Sequence, residues 1–150
     1  MNEIYEQAKM FKKKYSGTIS WRLKAHSKVI EKHLNPGERI KFVFCAQKNE
    51  RSYQIFSTYM VALTNKRILL AQKRLLFGYL FLAVTPDMFN DLTVKSGIFW
   101  GKLIIDTVKE NIFLSNVSKK ALPMIETEIT EYMMREKRKM IKIPKEKQEF

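Results

Sequence analysis

Apolar positions along this chain change their spacing twice, and the two changes divide it into three zones. Over residues 2–34, Ile4, Ala8, Phe11 and Tyr15 recur at three- and four-residue intervals, and Ile19, Leu23 and Ile30 continue the pattern past Ser16-Gly17. That spacing predicts helix, broken or kinked at the Ser-Gly pair. Asn35-Pro36-Gly37 then stops the helix, because proline cannot continue the ladder and glycine accepts positive φ. From residue 38 to 117, β-branched and aromatic residues gather in short runs, which predicts strands. Residues 39–47 alternate, with Ile40, Phe42, Phe44 and Ala46 on one face, and further strands are expected over 53–63, 67–72, 89–95, 98–108 and 112–117. The polar links at 49–52, 64–66, 96–97 and 110–111 read as turns. Ser118 is placed to cap a closing helix whose apolar stripe is Ala121, Leu122, Ile125, Ile129, Tyr132 and Met133. This helix is expected to end before Ile141, leaving residues 141–150 as a charged, disordered tail.

The most apolar run, KRLLFGYLFLAVTPD at residues 73–87, sits in the middle zone. Leu75 to Val84 supplies about half of the roughly 20 apolar residues that a spanning helix needs, so no membrane crossing is expected here or elsewhere. Gly78 interrupts the run at its centre and predicts a bend between two strands, with Pro86-Asp87 ending the second. Leu75, Leu76, Phe77, Tyr79, Leu80, Phe81 and Leu82 are apolar on both faces of that segment, although one side of a small sheet normally faces water. Something must cover the second face. A neighbouring subunit, the N-terminal helix and a lipid surface are the expected covers, in that order.

At 150 residues, 45% of them hydrophobic, the chain is long enough for one core. A net charge of +13 favours phosphate-bearing partners, but it is diffuse. Residues 1–33 carry eight cations against three carboxylates, 34–117 eleven against six, and 118–150 nine against six. With no recognition helix, zinc finger or aromatic RNA-binding pattern, nucleic acid is an unlikely partner. The N-terminus lacks an apolar signal region, and the single Cys45 cannot form an internal disulfide, so a reducing, cytoplasmic setting is expected.

Two segments, VALTNKRILL at 61–70 and DLTVKSGIFWGKLIIDT at 91–107, resemble the recurrent segments of bacterial pleckstrin-homology-like (PH-like) domains of the YokE-like type. There an LTNKR turn leads into a strand, and a later hairpin of the GlfwGkl kind precedes the closing helix. The resemblance covers about residues 38–134. It implies a mainly β (α+β) fold, a seven-stranded β-sandwich or partly open barrel capped by a C-terminal α-helix, with an N-terminal helical extension. The expected organisation is an extension at 1–34, a PH-like domain at 38–140 and a tail at 141–150. In the motifs themselves, Asn65 suits a left-handed turn position, and Gly97 and Gly101 let the backbone turn or bulge around Phe99 and Trp100. In lipid-binding PH domains, cations on the first two strands and their joining loop hold phosphates, and the matching positions here are Lys41, Lys48 and Arg51.

No catalytic, metal or cofactor signature occurs in the sequence. His26 and His33 lie seven apart on one helix face and read as exposed polar residues. Cys45 has no histidine near it in the β zone, and Asp87, Asp91 and Asp106 read as turn and strand residues. Lys9, Lys12, Lys13 and Lys14, with Phe11 and Tyr15, form a basic amphipathic helix suited to anionic lipid. The competing reading packs Ile4, Phe11, Tyr15 and Leu23 on the sheet with the lysines in water. The expectation is a non-catalytic binding or scaffolding module that acts on an unidentified protein partner, including a second copy of itself, through Leu75, Leu76, Phe77, Tyr79 and Phe81. The alternative is peripheral binding to anionic lipid at the inner membrane face through the basic helix and the apolar loop.

Overall fold

The β-branched runs of the middle zone become seven antiparallel strands in one continuous sheet. The structure, a computed structural model, describes residues 3–16, 22–47, 58–74 and 76–148, with residues 140–148 as backbone only. The strands are β1 (Ile40–Gln47), β2 (Thr58–Thr64), β3 (Ile68–Lys73), β4 (Tyr79–Val84), β5 (Phe89–Ser96), β6 (Trp100–Thr107) and β7 (Asn111–Ser118), in the order β4-β3-β2-β1-β7-β6-β5. The expected turn at 49–52, the start of the second expected strand, Gly17 and Ile19 lie outside the described residues.

Among the described residues, β1 meets β7 at the pair Gln47–Ser115. The sheet curls at this join, so that Phe44, Val61, Leu63 and Leu70 from one half and Phe89, Leu103, Ile105 and Leu114 from the other share a single inner core. Helix α3 (Leu122–Gln148) closes that core with Ala121, Leu122, Ile125, Ile129, Tyr132 and Met133, the stripe expected from the spacing. The architecture is mainly β with helices, as the resemblance implies.

Two expectations about this helix need correction. Ser118 ends β7 and makes no side-chain cap; a 3-10 turn, Lys119–Ala121, intervenes before α3. The helix also runs to Gln148 instead of stopping before Ile141. Residues 135–148 hold mostly Glu, Lys, Arg and Met, good helix formers that extend a helix already nucleated by packing, and Pro144 removes one N–H from the ladder.

The N-terminal helices form a second layer. Helix α1 (Glu3–Lys14) ends just before Ser16, as the pattern predicts, and α2 covers Leu23–His33. Ile4 and Ala8 of α1 and Val29 and Ile30 of α2 pack on the outer face of the sheet, against Val43, Cys45, Met60, Ala62, Leu69 and Ala71. Every residue of β2 is therefore buried, odd and even positions alike. The N-terminal helices, the second of the expected covers, thus pack on the outer face of the β1–β4 half of the sheet. Phe11 passes beyond that face and joins the inner core beside Phe44, ring centroids 6.0 Å apart.

The TNKR turn at 64–67 works differently from the expectation. Thr64 Oγ1 accepts the N–H groups of Lys66 and Arg67, each at 3.0 Å, and Asn65 Oδ1 accepts the Arg39 N–H at 2.8 Å. Asn65 is not left-handed; among the described non-glycine residues only Arg22 and Asn116 have positive φ. Its side chain supplies the turn chemistry instead. Gly101 does sit at a register shift in β6, and a Cβ there would land inside the Leu122 side chain, so close helix packing requires the glycine.

Candidate functional site

The bend at Gly78 takes a φ of 74°, in the left-handed region, and Arg74 N–H donates to Gly78 O at 3.1 Å to close the β3–β4 tip. This geometry turns the two residues before the glycine into solvent: Leu76 and Phe77 are each 84% exposed. Tyr79 is 51% exposed at the start of β4. Phe81, two residues on, is taken up within the fold, because its ring stacks on His33 at 4.1 Å and 15°. The expected interaction surface thus splits into an exposed tip (Leu76, Phe77, Tyr79) and a packed position (Phe81). Leu75 lies outside the described residues.

Beside this tip, α2 and the end of β3 enclose a pocket of about 410 Å³. Lys24, Lys28 and Lys32, four residues apart, project from one face of α2, and Arg22, Lys73 and Tyr79 complete the wall. Arg22 Nη1 donates to Lys73 O at 3.2 Å, which holds the start of α2 against the hairpin. No carboxylate is among the described lining residues. The sequence reading missed this site, although the i, i+4, i+8 lysines of α2 were a visible signal; its partner Lys73 is 41 residues past Lys32 and meets the helix only through the fold.

The other expected cations are scattered over different surfaces. Lys9, Lys12, Lys13 and Lys14 are exposed on α1, with Lys9 at 3.3 Å from Glu6. Lys13 and Lys14 border an open groove of about 810 Å³ with Phe42, Met124 and Lys41, whose ammonium lies 5.0 Å from the Tyr132 ring centre. Lys41 is therefore not part of the α2 pocket. Lys48 and Arg51 fall outside the described residues.

The two histidines are not exposed, contrary to expectation. His26 is 2% exposed and its Nδ1 accepts the Lys73 N–H at 2.8 Å, while His33 Nδ1 donates to Val29 O at 2.7 Å. Each uses its ring to fasten α2, the first to β3 and the second to Phe81. Cys45 is buried with Sγ 3.7 Å from Met60 Sδ, and burial pushes its thiol pKa up to about 12 against the opposing pull of the Lys12 charge. Asp87 accepts a hydrogen bond from Thr85 in the turn before β5, and Asp91 accepts one from the Leu92 N–H within β5, both local contacts. Among the described residues no group of three His, Cys, Asp or Glu is placed to hold a metal ion, and no helix is long and apolar enough to cross a membrane.

No curated protein matches the chain. Among solved structures, the chain matches a DUF1696 family protein with a pleckstrin-homology domain from Shewanella loihica PV-4, at 15% identity and a TM-score of 0.47, covering 73% of this chain and 87% of that one. The family model described as Bacterial PH domain matches residues 34–131, which takes in all seven strands and the first turns of α3. The chain belongs to the bacterial PH domain family.

Proposed function

We propose that this PH-like binding module docks on anionic membrane surfaces from the cytoplasmic side, through the end of the barrel that carries the β3–β4 tip. The observation behind this reading is the tip itself: two consecutive large apolar residues, Leu76 and Phe77, stand 84% exposed beside Arg74 and the basic pocket. Inserting such a pair below the headgroups recovers the hydrophobic free energy that water denies them, about 1.5–3 kcal/mol for each side chain. The surrounding cations add roughly 1 kcal/mol each on an anionic leaflet. Val108, in the turn between β6 and β7, is a further exposed apolar residue, at 63%.

Flotation with neutral and phosphatidylserine-containing vesicles, at low and physiological salt, tests the proposal. Binding to the anionic vesicles that weakens with salt is expected. Equal binding to neutral vesicles, or none to either, would reject it.

Protein–protein interaction, including self-association, is supported by a different observation. Ile98, Phe99 and Trp100 at the β5–β6 turn are 79%, 70% and 39% exposed. A dimer by light scattering that Phe99→Ser converts to monomer would favour this reading; a monomer at tens of micromolar would remove self-association.

A further inference from the structure

We infer that the α2 pocket is a binding site for a phosphomonoester, a doubly charged phosphate carried on a small polar body. The inference stands on the pocket alone and does not require that the protein docks on membranes. Most of the pocket wall comes from α2, ahead of the matched residues 34–131.

The charge arrangement needs a counter-charge. Four lysines, Lys24, Lys28, Lys32 and Lys73, face one cavity with Arg22, and no carboxylate is among its described lining residues. Like charges four apart on a helix repel, and Lys24 adds a second cost by standing in the first turn of α2, at the positive end of the helix dipole. That turn contains no acidic residue and has no side-chain cap. At two other places a carboxylate stands beside the cation: Glu6 by Lys9, and Glu38 by Arg67. A dianion in the pocket would relieve both the repulsion and the unfavourable dipole position at once.

Shape and chemistry narrow the ligand. A volume of about 410 Å³ exceeds what a bare phosphate fills and suits a headgroup-sized molecule. Ammonium groups act as point charges that follow net charge, so they favour a dianionic monoester over a monoanionic diester or a single carboxylate. Tyr79, also in the wall, carries a hydroxyl that is a neutral donor. Two sources carry this chemistry: a soluble phosphate ester and a lipid with a terminal monoester.

Glycerol 3-phosphate binding by calorimetry tests the soluble source. Flotation on vesicles with phosphatidic acid, against phosphatidylserine vesicles of matched surface charge, tests the lipid source. The variants are Lys28→Ala/Lys32→Ala in the pocket and Lys12→Ala/Lys13→Ala on α1; all four lysines are exposed, and circular dichroism confirms that each variant is folded. Saturable glycerol 3-phosphate binding, or a preference for phosphatidic acid, that falls about thirtyfold in the pocket variant and holds in the α1 variant is the expected result. No binding of the soluble ester together with no preference for phosphatidic acid overturns the inference, as does an equal loss in both variants. Equal flotation on both anionic vesicles with no effect of the pocket variant overturns it while leaving membrane docking intact; ester binding without flotation does the reverse.

Discussion

Arg67 grips Glu38 with two parallel hydrogen bonds, Nε to Oε2 and Nη2 to Oε1, both at 3.1 Å, and the carboxylate side chain is fully shielded from solvent. The same Nη2 donates to His33 O at 2.9 Å, and Thr64 Oγ1 donates to Glu38 Oε2 at 2.6 Å. One buried pair therefore joins the end of α2, the entry to β1 and the β2–β3 turn. It explains why the turn motif contains both Thr64 and Arg67: the first shapes the turn, and the second locks the outer helical layer to the sheet.

Removing either partner leaves the other buried without its counter-charge. Glu38→Ala or Arg67→Ala should lower unfolding free energy by about 3 kcal/mol, and the double variant should lose less than the sum. Urea denaturation of the three variants measures this; strict additivity would show that the two residues act independently.

Acid should weaken the same joint. Burial alone would raise the Glu38 pKa, but hydrogen bonds from Arg67, the Asn35 N–H and Thr64, with the Arg67 charge, outweigh it and hold the group below 4.5. A depressed carboxylate contributes stability that is complete above its unfolded pKa and is lost as pH falls through the folded value. Wild-type stability should thus decline below about pH 4.5, and Glu38→Gln should flatten that decline, read as chemical denaturation midpoints between pH 7 and pH 3.

Phe11 ties α1 to the inner core, whereas the lysines beside it face water. Phe11→Ala should cost about 3 kcal/mol and Lys13→Ala less than about 0.5 kcal/mol, measured by thermal unfolding. A small effect of Phe11→Ala would mean that α1 is not held by this contact.

Gly101 touches α3 so closely that any side chain displaces Leu122. Gly101→Ala should destabilise by about 1–3 kcal/mol, and Leu122→Ala added to it should cost less than Leu122→Ala in the parent. Independent effects in the double-mutant cycle would contradict the proposed clash.

The exposed tip separates function from stability. Phe77→Ser should leave the thermal midpoint nearly unchanged, within about 0.5 kcal/mol, while lowering partition onto anionic vesicles by roughly thirtyfold. Cys45 offers a control for folding in all these variants: its buried thiol should react with a disulfide reagent only after denaturant is added.

The order of elements was determined by the sequence itself, because that order depends on local spacing. Period-2 alternation in β1, the stripe from Ala121 to Met133, the stop at Asn35-Pro36-Gly37 and the bend at Gly78 are set by neighbours within a few residues. Those signals, with the two turn motifs, were enough to indicate the family fold. They also showed that the outer face of β4 and its neighbours needed a cover. What supplied the cover was decided only in three dimensions, since α1 and α2 reach β1–β4 through contacts between residues tens of positions apart. The buried roles of His26 and His33, the Glu38–Arg67 pair and the convergence of Lys73 on the α2 lysines have the same origin. Each depends on which surfaces meet after the chain collapses, and pairwise chemistry across 29 to 47 residues leaves no periodic trace.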